Sequence, residues 1–156
     1  MNILDIPFNA FMRLKPSPAS RAGELVLEPS RDYLNHLGTV HAAAQFALAE
    51  ACAGEFLLAR FPQMAEDCLG VVRNADIKYR KPATGGLHAA AEAGENDLKK
   101  TAEAVDRKGR SFLTVRVKVY DERNEVTLQA AFEWYIQKRE AGRAAHPSDP
   151  PSASAG

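Results

Sequence analysis

The sequence predicts an α+β fold, an antiparallel β-sheet wrapped around one long central helix. Three observations carry that reading. Residues 39–60 hold eight alanines and three leucines with few breakers before Pro62, the composition of a single long helix. The polar residues of that stretch, His41, Gln45, Glu50, Glu55 and Arg60, are too sparse to make a solvated face, so other structure must surround it. Beyond Asp67 the pattern turns to strands, and one of them alternates cleanly, with Leu113, Val115, Val117 and Val119 on one face and Thr114, Arg116, Lys118 and Tyr120 on the other.

The elements follow in order. Asp5 before Ile6-Pro7 is a cap-and-proline signal for a short helix over about residues 6–12. Two extended pieces are expected at 11–15 and 23–27, joined by the turn-forming Pro16-Ser-Pro-Ala-Ser-Arg-Ala-Gly23. Residues 30–38 are polar and irregular, and Thr39 is the expected N-cap of the long helix. Strands are expected at 71–79, 86–93, 111–120 and 126–137. Asp121-Glu-Arg-Asn124 makes the last two an antiparallel hairpin. Between the second and third of these strands, Asn96 or Asp97 caps a short amphipathic helix that Gly109 ends. Residues 1–138 read as one domain, and 139–156, small, polar and proline-rich, as a disordered tail.

Composition excludes several classes of function. Lys plus Arg and Asp plus Glu both number 20, so no basic excess is available to neutralise a nucleic-acid backbone. The two cysteines, Cys52 and Cys68, have apolar neighbours and no Cys-x-x-Cys spacing, which argues for a reducing compartment and against metal or redox chemistry; no metal and no cofactor are expected. The first fifteen residues lack a basic segment followed by a long apolar run, and nowhere do about 18 apolar residues run together. A cytoplasmic protein without a membrane partner is the expectation.

Chemistry concentrates between Asn35 and Glu50. Asn35 in a turn ordinarily caps its own backbone, and Gly38 permits the turn. A helix beginning after Thr39 leaves the backbone N–H groups of His41 and Ala42 as donors at a positive dipole end, a place for a developing oxyanion. His41 in the first turn either caps or faces a ligand. Glu50 is the unusual residue: a carboxylate among Leu48, Ala49, Ala51, Cys52 and Ala53 must be paired, neutralised or functional, and burial makes it a better base near neutral pH. A salt bridge to Arg73 or Arg80 is the structural alternative. Nine residues separate His41 from Glu50, which puts them on opposite faces of the helix and about 13 Å apart along its axis. If both serve one reaction, the site combines two subunits of a symmetric dimer.

A long apolar helix, preceded by Asn35-x-x-Gly38-x-x-His41 and carrying an acid nine residues after the histidine, resembles the PaaI-like branch of hotdog-fold thioesterases. Phe46, Leu48, Ala49 and Glu50 stand at the matching offsets, and Ile77-Lys-Tyr-Arg80-Lys81-Pro-Ala83 resembles the strand end that in this family meets coenzyme A. The similarity spans roughly residues 8–138. It implies an acyl-CoA thioesterase, a hydrolase that works as a homodimer, with a homotetramer left open. It implies Glu50 as nucleophile or general base, Asn35 as holder of the water or the carboxylate, and His41 at the thioester end of the substrate. The N–H of Ala42 would polarise the carbonyl, with Gly38 in the same turn, and Arg80 and Lys81 would meet the phosphates. Ala42 and Ala43 replace the family's usual glycines, the acid is Glu where many relatives have Asp, and Val72 and Arg73 stand where a hydroxyl is usual. A non-catalytic module that binds an acyl-CoA is the alternative reading.

Overall fold

The computed structural model describes residues 2–18 and 23–139. A 3-10 turn at Ile3–Asp5 leads into a short helix α1 (Pro7–Phe11), with Pro7 in its first turn. Its N-cap is Ile6 rather than Asp5, which belongs to the 3-10 turn. Strand β1 is only Lys15–Pro16, because Phe11 still closes the helix and Arg13 takes a positive φ of 52° that turns the chain. Strand β2 (Glu24–Leu27) pairs antiparallel with it.

The long helix α2 spans Ala42–Arg60, starting three residues after the expected cap. Thr39 is drawn into the preceding turn instead: its amide and hydroxyl both bond the side chain of Asn35, and Leu34 and Val40 form a β-bridge. His41 therefore becomes the N-cap, in extended backbone, with Nδ1 accepting from the Ala43 N–H at 3.0 Å.

A four-residue helix α3 (Met64–Asp67) leads into β3 (Cys68–Tyr79), and β4 (Leu87–Glu92), α4 (Glu95–Lys108), β5 (Arg110–Tyr120) and β6 (Val126–Lys138) complete the chain. Gly94, not Asn96 or Asp97, caps α4, since Glu95 and Asp97 fall inside its first turn where acids suit the helix dipole. Gly109 ends it at φ 72°, as expected. The tail assigned to 139–156 lies, Arg139 apart, outside the described residues.

All six strands form one antiparallel sheet in the order β1-β2-β4-β5-β6-β3. Leu113, Val115, Val117 and Val119 point to the core with Leu128, Phe132 and Ile136 of β6, while the alternate positions of β5 face away. The sheet curls around α2, which packs on β2, β4, β5 and β6; this is the hotdog arrangement. At nineteen residues, with an 18-residue window of mean hydropathy 1.3, α2 is long and apolar enough to cross a membrane, yet it is mostly buried as a core helix. The turn between β5 and β6 is built on Asp121, whose Oδ1 accepts from the N–H groups of Arg123 and Glu125. Strand β3 lies at the edge: twelve residues long, it pairs with β6 on one side and, among the described residues, with no strand on the other.

Candidate active site

Between Ala47 and Gly54 every residue of α2 is buried except Glu50, which is half-buried. Its carboxylate opens on a cavity of about 310 Å³ between α2, the N-terminal segment and the β3–β6 edge, with Ile3, Phe8, Gly54, Leu57 and Trp134 among its walls. Among the described residues no hydrogen bond or ion pair compensates it. Arg80, the expected counter-ion, instead donates from Nε and Nη2 to Gln129 Oε1 at 2.8 and 2.6 Å, and Arg73 sits at the bulge between Val72 and Asn74. Desolvation alone therefore acts on Glu50 and raises its pKa above the ordinary carboxylate value. An acid in that state takes up a proton near neutral pH far more readily than a solvated one.

The turn before α2 is saturated by comparison. Asn35 Oδ1 accepts from the N–H groups of Leu37 and Thr39 at 2.9 and 3.2 Å, and Nδ2 donates to Thr39 Oγ1 at 2.9 Å. Gly38 takes φ 72°, and its own N–H reaches Asn35 O. The shifted helix start revises the expected pair of free donors. The N–H of His41 is spent on Tyr33 O at 2.7 Å, and that of Ala43 on His41 Nδ1. Ala42, the first helical residue, keeps its N–H without a partner among the described residues and is exposed. Because Nδ1 of His41 accepts, its neutral ring carries the proton on Nε2, which points away from the cap bond and is free for a ligand.

One chain does not bring these groups together. His41 and Ala42 are not among the residues around the Glu50 cavity. The hydroxyl of Tyr79, at the far end of β3, donates to Ala42 O at 3.2 Å, so the end of the edge strand is tied to the start of α2. Gly70, near the beginning of the same strand, lines the Glu50 cavity. Arg80 lines a different hollow of about 360 Å³ with Lys78, Arg116 and Lys118 on the sheet face turned away from α2, and Lys81 pairs with Glu125 at 2.6 Å. Sequence reasoning missed Ile3, Gly54, Trp134 and Tyr79. Gly54 was the available signal, as the one glycine inside an alanine-rich helix, where glycine costs about 1 kcal/mol relative to alanine.

Solved structures share this fold. A probable thioesterase of unknown function from Pseudomonas aeruginosa is 20% identical, with 88% of this chain and 91% of that chain covered and a TM-score of 0.75. A Bacillus halodurans protein crystallised with CoA is 18% identical over 83% of this chain and 74% of its own, with a TM-score of 0.63. A point mutant of the phenylacetic acid degradation protein PaaI from Thermus thermophilus is 20% identical over 83% of this chain and 97% of its own, with a TM-score of 0.59. No curated protein matches the chain. The family described as domain of unknown function DUF4442 matches residues 12–136, so the chain, a hotdog fold built around α2, belongs to that family.

Proposed function

We propose that the protein is an acyl-CoA thioesterase, hydrolysing the thioester to a free acid and CoA at a site shared by two protomers. The observation that carries this reading is Glu50, an uncompensated carboxylate held at the wall of an apolar cavity with its pKa raised by burial. Acting as general base, Glu50 takes a proton from water as the water oxygen attacks the carbonyl carbon; the C–S bond then breaks and the thiolate of CoA leaves, taking up a proton. The open N–H of Ala42 and the Nε2 of His41 supply donors for the carbonyl oxygen and the thioester end. The protein from Bacillus halodurans crystallised with CoA supports the choice of thioester.

The edge strand supports the dimer. A long unpaired edge is a template for pairing with a second chain, and Leu69, Val71 and Tyr79 leave about half of their surface exposed along this one. Antiparallel pairing of β3 with its symmetry mate places the Tyr79 end of one protomer beside the Gly70 end of the other. Through the Tyr79–Ala42 bond, that brings the partner's helix start to the Glu50 cavity. Asn35 holds the turn that presents His41 and Ala42, and Arg80 and Lys81 follow the strand end to meet phosphates. The free, buried Cys52 and Cys68 suit a reducing, cytoplasmic setting.

Release of free thiol from a panel of acyl-CoAs tests the reading. Wild-type turnover that falls at least about a hundredfold in Glu50→Gln is the expected result. Equal rates in the two proteins would remove Glu50 from the mechanism. Tight binding without turnover would favour a ligand-binding module, the outcome that the alanines at 42 and 43 and the missing hydroxyl at 72 and 73 would then explain.

A further inference from the structure

The cavity beside Glu50 has a shape of its own. Its walls follow α2 from Glu50 past Gly54 and Leu57 to Phe61, a rise of about 16 Å.

The walls offer little to a polar substituent. Beyond Glu50 they carry Asn9, whose Nδ2 already donates to Ile3 O at 2.8 Å, the thiol of Cys68, and Trp134. Trp134 presents its six-membered ring, with Cη2 towards Gly54 and Cε3 and Cζ3 towards Gly70, while its Nε1 is buried out of reach of the cavity. A second carboxylate carried deep into this space would lose water without gaining a cationic partner among the lining residues.

At Gly54, one turn beyond Glu50, Ile3 comes close against the helix. A Cβ there would stand 2.9 Å from Ile3 Cδ1 and 3.5 Å from Trp134 Cη2, so the isoleucine packs against the bare backbone of the helix. A glycine inside α2 weakens the helix, and what it makes room for is the side chain of Ile3 in the cavity wall.

We propose that this cavity takes a linear, unsubstituted acyl chain running beside α2 from Glu50 towards Phe61, and that Gly54 and Ile3 set the length it accepts. The inference rests on the thioesterase reading for the position of the carbonyl, at Glu50, and names the acyl class that reading leaves open. Gly54→Ala pushes Ile3 into the cavity and shortens the chain accepted. Ile3→Ala removes three carbons from the wall and lengthens it.

The test is calorimetric titration of the non-hydrolysing Glu50→Gln protein with saturated acyl-CoAs of increasing length. The dissociation constant should fall about fourfold per added methylene until the cavity fills, and then level off. The break should move about two carbons shorter with Gly54→Ala added and about two longer with Ile3→Ala added, and these opposite shifts guard against a variant that merely folds poorly. A dissociation constant independent of length, a break that neither variant moves, or no saturable binding would overturn the proposal. Hydrolysis of the same series by the wild type separates the two readings. Length-dependent binding without turnover defeats the thioesterase and leaves the chain-length assignment standing, and turnover without length dependence does the reverse.

Discussion

Two carboxylates of this protein are withdrawn from water, one in the β5–β6 turn and one in the middle of α2, and they titrate in opposite directions. Burial pushes the Asp121 carboxyl up, but the N–H groups of Glu125 and Arg123 and the hydroxyl of Thr84 bond it and hold it below the usual aspartate value. Burial pushes Glu50 up as well, and among the described residues no hydrogen bond or ion pair answers it. Asp121 is a structural acid whose cost of desolvation is offset within the turn it builds. Glu50 carries its cost uncompensated on a cavity wall, in keeping with the catalytic role proposed for it.

The contrast breaks first on activity. Glu50→Gln should lower thioester hydrolysis at least about a hundredfold, while Asp121→Asn, far from the cavity in sequence and fold, should leave kcat/KM within about threefold, both followed by thiol release. On stability the order reverses. Asp121→Ala abandons two backbone donors and should cost about 2 kcal/mol in urea unfolding, whereas Glu50→Gln removes an uncompensated charge and should raise the midpoint at neutral pH.

The pH dependence sharpens the same contrast. Glu50 has a folded pKa above its unfolded value of about 4.3, so its contribution to stability is full below that pH and is lost as pH rises through the folded pKa. Asp121 has a folded pKa below its unfolded value of about 3.9, so its contribution is present above that pH and is lost as pH falls through the folded pKa. Unfolding curves between about pH 3 and pH 8 should show the first slope vanish in Glu50→Gln and the second in Asp121→Asn. The smallest expected effect is at the helix cap, where His41→Ala should cost about 1 kcal/mol of stability, read from the thermal midpoint.

Much of this was legible in the chain. The alternation of residues 113–120, the Asp121–Asn124 turn and the alanine-rich helix all appear where local pattern and burial agree. Glu50 was legible for the same reason: an acid amid alanines contradicts its surroundings. The start of α2 was not, because Thr39 and His41 are both competent caps, and the choice is made by Asn35, which binds Thr39 and leaves the cap to His41. The expected strand at 11–15 failed where tertiary packing won, with Met12 and Leu14 buried beside a helix end rather than in a ladder. The cavity was hidden as well, since Ile3 and Trp134 meet Gly54 from sequence distances that no periodicity reports.

The central claim, that Glu50 of one protomer works with the helix start of its partner, can be tested by complementation. Ala42 is the first residue of α2 and follows an extended His41, so Ala42→Pro deletes the open N–H where proline suits the helix. Glu50→Gln and Ala42→Pro should each be inactive alone. Co-expressed and assembled at random, half of the dimers are mixed and each holds one intact site of two, so about a quarter of wild-type hydrolysis should return. No recovery in mixed dimers, with both parents folded and dimeric, would contradict the shared site.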